Sequence, residues 1–474
     1  MMNVSMKSNT PIKIFLFLGS ILVVSACTTI PKDGGTGSVQ ALIDAQVGYE
    51  KESSVLSPDQ ALTAEQVNTL LSGPLGLADA ERISMQINPI AKANILTVGI
   101  AEADYAQAGR LENPGFGYER FTGQDYTASL LFDIGELFLM PLKRQIEGRR
   151  LEIARYEAAG SVMTHLANTR RFWIEAVTEK QQTQLLLRAV ESVETGNNLT
   201  RQMSALGHSG VIEAAESELF VSEMRTALSK QQLAEGAARE ALIRQLGLWG
   251  DQARILLLPD ALPKIPTNPI EIASVEQQAI ENRLDVKVAK LNIEKMAENF
   301  NLGRKSAFFS AAELGHVMEK TEGEKERGYE LEFRIPIFDS GGIKNEKAKM
   351  LFEQAQAQAE ATAIAAASNA RSALAEYLST WEIATHFVEE VLPLRQRLSQ
   401  EQLLMYNGML ISVFDLLKDV RSAIDVEANY VDAIRDFWLA DTNLQQALTG
   451  ADSAPMSFAS AGAMPSADAD GEGH

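Results

Sequence analysis

Residues 329–337 alternate without a break: Tyr329, Leu331, Phe333, Ile335 and Ile337 fall on one side, and Glu330, Glu332 and Arg334 on the other. A period of two predicts a strand with one apolar and one polar face. An apolar sheet face is covered either by a core or, in a membrane barrel, by lipid, with the polar side turned to a wet lumen. The alternation by itself leaves both open.

A second copy narrows the choice. In residues 126–134, Tyr126, Ala128, Leu130, Phe132 and Ile134 alternate with Thr127, Ser129, Leu131 and Asp133. Each copy has an expected partner strand just upstream, at residues 115–121 and 306–317, and both copies lie between very long helical stretches that leave nothing else to cover the apolar face. The expected lipid-facing set is therefore Tyr126, Leu130, Phe132, Ile134, Tyr329, Leu331, Phe333 and Ile335. The expected lumen-facing set is Ser129, Asp133, Glu330, Glu332 and Arg334. An open edge in hydrocarbon leaves backbone groups unpaired at several kcal/mol each, so closure needs about eight strands or more. Four strands per chain thus imply an oligomer, and three chains would supply about twelve.

The amino terminus reads as a targeting signal over residues 1–26. Lys7 and Lys13 precede an apolar run at 14–24 too short to span a bilayer, and small residues follow at Ser25 and Ala26. Cys27, the only cysteine, comes next, and Val24-Ser25-Ala26-Cys27 resembles the lipobox of bacterial lipoproteins, which implies a lipid anchor on Cys27. Residues 27–86 are expected as a tether followed by short helices broken at Gly73, Pro74 and Gly76.

From there an internal repeat of about 200 residues organises the chain, at residues 87–249 and 270–450, with Pro259, Pro263, Pro266 and Pro269 in a linker at 250–269. Each copy runs from a helix through a strand pair and a long helix to a glycine turn and a return helix. The turns hold Gly207 and Ser209 in the first copy and Gly408, Leu410 and Ser412 in the second. Residues 142–203 contain no proline and would reach roughly 90 Å as one helix, which suits a coiled coil or an elongated bundle rather than a compact domain. Pro393 is expected to interrupt the corresponding helix of the second copy near Leu392. The last segment, 451–474, is expected to be disordered.

Chemistry-bearing constellations are weak. His165, His208, His316, His386 and His474 are widely separated, none at ligand spacing to another, and read as surface or packing residues. Gly341-Gly342 has neither the Walker lysine spacing nor a GxGxxG pattern, and no GxSxG elbow occurs. The reading is a non-enzyme without metal or cofactor. A formal net charge of -20 and the lack of a dense basic run in the sequence argue against nucleic acid as a partner.

Several motifs in order then resemble one family. They are Asn113-Pro114-Gly115-Phe116, Asn282-Arg283-Leu284-Asp285, Ile335-Pro336-Ile337-Phe338-Asp339-Ser340-Gly341-Gly342, and Tyr406-Asn407-Gly408 followed by Ser412-Val413-Phe414-Asp415-Leu416-Leu417. Over residues 87–450 the chain resembles the TolC-like outer-membrane efflux factors, the exit ducts of tripartite pumps in Gram-negative bacteria. The resemblance implies a mainly α chain with a transmembrane β part, forming as a homotrimer a 12-stranded barrel in the outer membrane and a periplasmic α-helical tunnel. It also implies passive conduction, an inner-membrane pump of the RND type or similar as energy source, and a periplasmic adaptor engaging the tips at Gly207, Ser209, Gly408, Leu410 and Ser412. By matching position, Asp415 and Asp419 are gate candidates, the other reading being that both are solvated helix charges. The family's basic residue after the tip glycine is replaced by Leu410, and its frequent proline by Leu284. Two other readings are a periplasmic adaptor, which would carry one hairpin and compact β-rich modules, and a structural coiled-coil lipoprotein, which would not need the strands.

Overall fold

The computed structural model describes residues 33–46, 62–122, 125–207, 210–309, 312–322, 324–333 and 342–450. The first half runs through α1 (Thr36–Gln46), α2 (Ala64–Leu71), α3 (Leu77–Ile87), α4 (Pro89–Ala108), β1 (Gly115–Arg120), β2 (Tyr126–Asp133), α5 (Ile134–Ala205) and α6 (Val211–Leu246). A short α7 (Asp251–Ile255) follows. The second half repeats the order with α8 (Val275–Asn282), α9 (Leu284–Phe309), β3 (Ala312–Thr321), β4 (Glu324–Phe333) and α10 (Gly342–His386), then a π turn at Phe387–Val391, α11 (Leu392–Asn407) and α12 (Val413–Thr449). The strands form one antiparallel sheet in the order β1-β2-β3-β4, so the two hairpins join through β2 and β3.

Boundaries follow local chemistry. Asn88 caps α4, its side chain accepting the Ile90 amide at 2.7 Å, with Pro89 in the first turn where a missing N–H costs nothing. Gly247 ends α6 at φ 75°, and a Cβ there would lie 2.8 Å from the Asn88 backbone, so both conformation and space require glycine. α5 is 72 residues long, about 110 Å. It begins eight residues earlier than proline placement suggests, running straight out of β2 and through Pro141. One missing hydrogen bond does not end a helix whose neighbouring turns are all satisfied. Pro393 acts as expected: the π turn before it, in which the Leu392 amide bonds to the Phe387 carbonyl, absorbs the irregularity.

Other expectations are corrected. The tether contains α1, whose Val39 and Ile43, four residues apart, are buried among α4 and α5 residues. The entry helix of the second copy is two helices broken at Arg283, which is extended (ψ 131°), buried, and paired through Nη2 with Asp285 Oδ2 at 2.5 Å. Its Nη1 also donates to the Ala447 carbonyl at 3.2 Å. Residues 306–309, expected in a strand, end α9, and β3 is displaced to Ala312–Thr321. β4 starts at Glu324, five residues before the alternation becomes apolar.

The largest core lies mid-length, where Trp173, Ile174 and Val177 of α5 meet Leu242 and Leu246 of α6, Tyr377 of α10, and Phe437 and Leu444 of α12. Each such buried side chain contributes ~1.5 to 3 kcal/mol. The linker is laid across this core: Trp381 and Trp438 donate their indole N–H groups to the carbonyls of Pro266 and Pro263, each at 2.9 Å. Ala355, Ala366, Ala370, Ala373 and Ala384 are the buried alanines of α10, small enough for close helix approach.

Candidate functional site

The sheet register sorts its side chains into two faces, since residues directly opposite in an antiparallel pair lie on the same side. Starting from the turn end, one face carries the rows Arg120, Tyr126, Lys320, Lys325; then Tyr118, Ala128, Met318, Arg327; then Phe116, Leu130, His316, Tyr329; then Phe132, Leu314, Leu331. The opposite face carries Thr321 and Glu324; then Glu119, Thr127, Glu319, Glu326; then Gly117, Ser129, Val317, Gly328; then Gly115, Leu131, Gly315, Glu330; then Asp133, Glu313, Glu332. Every carboxylate of the four strands is on this second face, and every Lys and Arg on the first.

The first face is rich in exposed rings. Phe116 is 73% and Tyr329 79% exposed, a large apolar area for a single chain to leave uncovered. Tyr118 stacks on Tyr126 at 5.8 Å, and His316 meets Tyr329 at 5.3 Å. Small residues open the second face: a Cβ on Gly117 would meet Ser129 Oγ at 2.5 Å, and one on Gly315 the Leu131 side chain at 2.9 Å.

Tyr126, Leu130, Phe132, Tyr329 and Leu331 of the expected lipid-facing set thus share one face, and Ser129, Asp133, Glu330 and Glu332 share the other. Phe333 pairs with Ala312 through the backbone. Ile134 is not in a strand but is the first residue of α5. Arg334, Ile335 and Cys27 lie outside the described residues, as do the expected targeting signal at 1–26, Gly341 and the terminal segment at 451–474.

The two hairpin ends opposite the sheet expose apolar side chains. Leu206 (73%), Val211 and Ile212 stand at the first, and Met409 (93%) and Leu410 (75%) at the second. Gly207 turns left-handed at φ 73°, and Ser209 lies outside the described residues. The two tips are not equivalent: Gly408 has φ −78°, and the left-handed residue is Met409 at φ 61°. A side chain there costs ~1 to 2 kcal/mol relative to a relaxed backbone.

Asp415 and Asp419 have separate tasks. Asp415 closes a capping box on α12: its amide donates to Ser412 Oγ at 3.2 Å, and its carboxylate accepts the Ser412 amide at 3.1 Å and hydroxyl at 2.8 Å. The Ser412 hydroxyl and amide hold this carboxyl below its usual range. Asp419, one turn on, is buried against α11, ion-paired with Arg395 and accepting the Ser399 hydroxyl at 2.9 Å.

A polar cluster that sequence reasoning missed ties α3 to α5 and α6. Ser84 Oγ lies 2.6 Å from His165 Nε2 and 2.8 Å from Thr169 Oγ1, and it donates to the Gln245 carbonyl at 3.1 Å. That donation leaves Ser84 to accept from Nε2–H, while the Gln245 side-chain amide faces Nδ1 at 3.3 Å and donates to it, the arrangement of a neutral imidazole. Burial pushes His165 below its usual range, with the Ser84 hydrogen bond opposing. Among the described residues no group of three or more His, Cys, Asp or Glu could hold a metal ion. No described helix is long and apolar enough to cross a membrane.

No family model matches the sequence, and no curated protein does. Solved structures do match. A membrane protein from Pseudomonas aeruginosa superposes at TM-score 0.67 and 16% identity over 78% of this chain and 92% of its own. The outer membrane protein VceC from Vibrio cholerae gives 0.64 and 14%, over 79% and 96%. The Campylobacter jejuni CmeC outer membrane channel gives 0.65 and 13%, over 85% and 90%. The chain has the fold of the TolC-like outer-membrane channels.

Proposed function

We propose that this protein is the outer-membrane duct of a tripartite efflux system: a homotrimer, anchored through lipid on Cys27, that conducts cargo passively and catalyses no reaction. The observation that carries the reading is the sheet, with an apolar face, an acidic face and two open edges, attached to helices far longer than a bilayer is thick. Its even number of strands lets β4 of one protomer pair with β1 of the next without breaking antiparallel alternation, so three copies close twelve strands with a wet, acidic lumen and an apolar exterior. The solved channels of the same fold support this assignment. Helices α5, α6, α10, α11 and α12 then form the periplasmic tunnel, and the exposed apolar tips at Leu206, Val211, Ile212, Met409 and Leu410 meet a periplasmic adaptor that couples the duct to an inner-membrane pump.

The test is planar-bilayer conductance of the detergent-purified protein, with oligomeric mass measured on the same sample. A trimer with discrete channel events is expected. A protein that never conducts and stays soluble as a monomer once Cys27 is replaced would overturn the barrel and favour a coiled-coil lipoprotein.

A further inference from the structure

The apolar sheet face is not uniform. All helices leave the sheet at one end, through the α4–β1, β2–α5, α9–β3 and β4–α10 connections, and the two hairpin turns stand at the other. On the ring-bearing face Arg120, Lys320 and Lys325 fall in the outermost row before those turns and Arg327 in the next, while the Thr321–Glu324 pair, one residue nearer the β3–β4 turn, stands on the opposite face. The outermost row also holds Tyr126 and spans about 14 Å across four strands. Charges placed only to solvate a rim would be shared between the faces. Here all four cations stand on the side of the rings, and the carboxylates behind them are Glu119, Glu319, Glu324 and Glu326.

We propose that Arg120, Lys320, Lys325 and Arg327 form a collar that binds the phosphorylated headgroup of an outer-leaflet lipid of the lipid A class. The inference rests on the duct reading, which sets the helices in the periplasm and hence the turns at the outer surface. Cations flanking Tyr126 sit at headgroup depth, where guanidinium and ammonium groups meet phosphate oxygens. One row inward, at about 7 Å, Tyr118 and Met318 begin the apolar surface that acyl chains cover, and it continues through Phe116, Leu130, Phe132 and Leu314. Charge complementarity selects an anionic lipid, and the apolar rows beneath select a lipid over a free anion.

Native mass spectrometry of the full-chain protein in detergent tests this, with diphosphorylated lipid A, dephosphorylated lipid A and inorganic phosphate as separate probes. Diphosphorylated lipid A is expected to be retained, with or without EDTA, and the other two are not. The combined variant Arg120→Gln, Lys320→Gln, Lys325→Gln, Arg327→Gln is expected to lower its affinity by roughly several hundredfold (~1 kcal/mol, about fivefold, for each of the four cations). Exchange of the two arginines for lysine is expected to preserve most binding, and Glu319→Gln with Glu326→Gln to leave it unchanged. Equal retention by the neutralised collar, equal binding of inorganic phosphate, or loss of binding in EDTA would each overturn the proposal. Conductance of the same samples separates the two readings. Conducting trimers with unaltered lipid A binding in the collar variant refute the collar alone, whereas a parent protein that neither conducts nor trimerises refutes the duct and the collar with it.

Discussion

Replacing Asp419 with alanine removes one half of an ion pair whose side chains are only 7% (Asp419) and 10% (Arg395) exposed. The Arg395 guanidinium stays in place between α11 and α12, with the Ser399 hydroxyl also deprived of its acceptor. Uncompensated buried charge makes such single truncations cost ~3 to 5 kcal/mol, whereas replacing both partners with apolar residues of similar volume is close to neutral. Asp419→Ala and Arg395→Ala are therefore each expected to lower amide protection in α11 and the first turns of α12 by roughly a hundredfold to several thousandfold, and Arg395→Met with Asp419→Leu to restore most of it. Hydrogen exchange read by mass spectrometry resolves this segment from the core around Phe437. Single variants that lose less than about tenfold protection, or a double variant no better than either single, would refute the claim that this pair holds the second hairpin together. The same variants in planar bilayers separate packing from pore: if Asp419 acts only through Arg395, the apolar double variant conducts as the parent does.

Leu130→Arg is expected to cost ~2 to 4 kcal/mol of membrane assembly, read as loss of trimer from the outer-membrane fraction, while Ser129→Arg on the opposite face is tolerated; equal tolerance would reverse the face assignment. Met409→Gly relieves a left-handed backbone at an exposed position and is expected to stabilise the second tip by about 0.5 to 1 kcal/mol, measurable as increased amide protection there, with no gain from the same change at Gly408's neighbour Asn407. Burial lowers the His165 pKa from its ordinary value, so around and below that value the folded state binds fewer protons than the unfolded one. Stability is thus complete above the unfolded imidazole pKa of ~6.5 and falls as pH drops toward the lowered folded value, and His165→Gln is expected to flatten thermal melting between pH 7 and 5.

The repeat, the long helices and the two apolar strands were legible because each rests on local periodicity, and the irregularity at Pro393 because proline acts where it stands. Boundaries failed where long-range context outvoted local signs. Pro141 looked like a start but lies inside α5, and α1 hid in a glycine-containing stretch because its few apolar residues count only once α4 and α5 are beside them. Asp415 and Asp419 share a helical spacing but not an environment, since only the position of α11 distinguishes a solvated cap from a buried ion pair. The cationic collar was the least legible feature: its members come from β1, β3 and β4, about 200 residues apart, and only the register sets them side by side.

That register also fixes an order of events during folding. β2 has its second neighbour in β3, so Tyr126 waits for Lys320, and closing so long a loop is slow because its entropy is lost before any ladder bond is gained. The α5–α6 hairpin needs only residues close in sequence and can form while the second half is still being made. A folding chain of this design therefore carries a finished first hairpin and an unfinished sheet, whose exposed β2 edge is the part that needs protection from premature pairing until β3 and β4 join it.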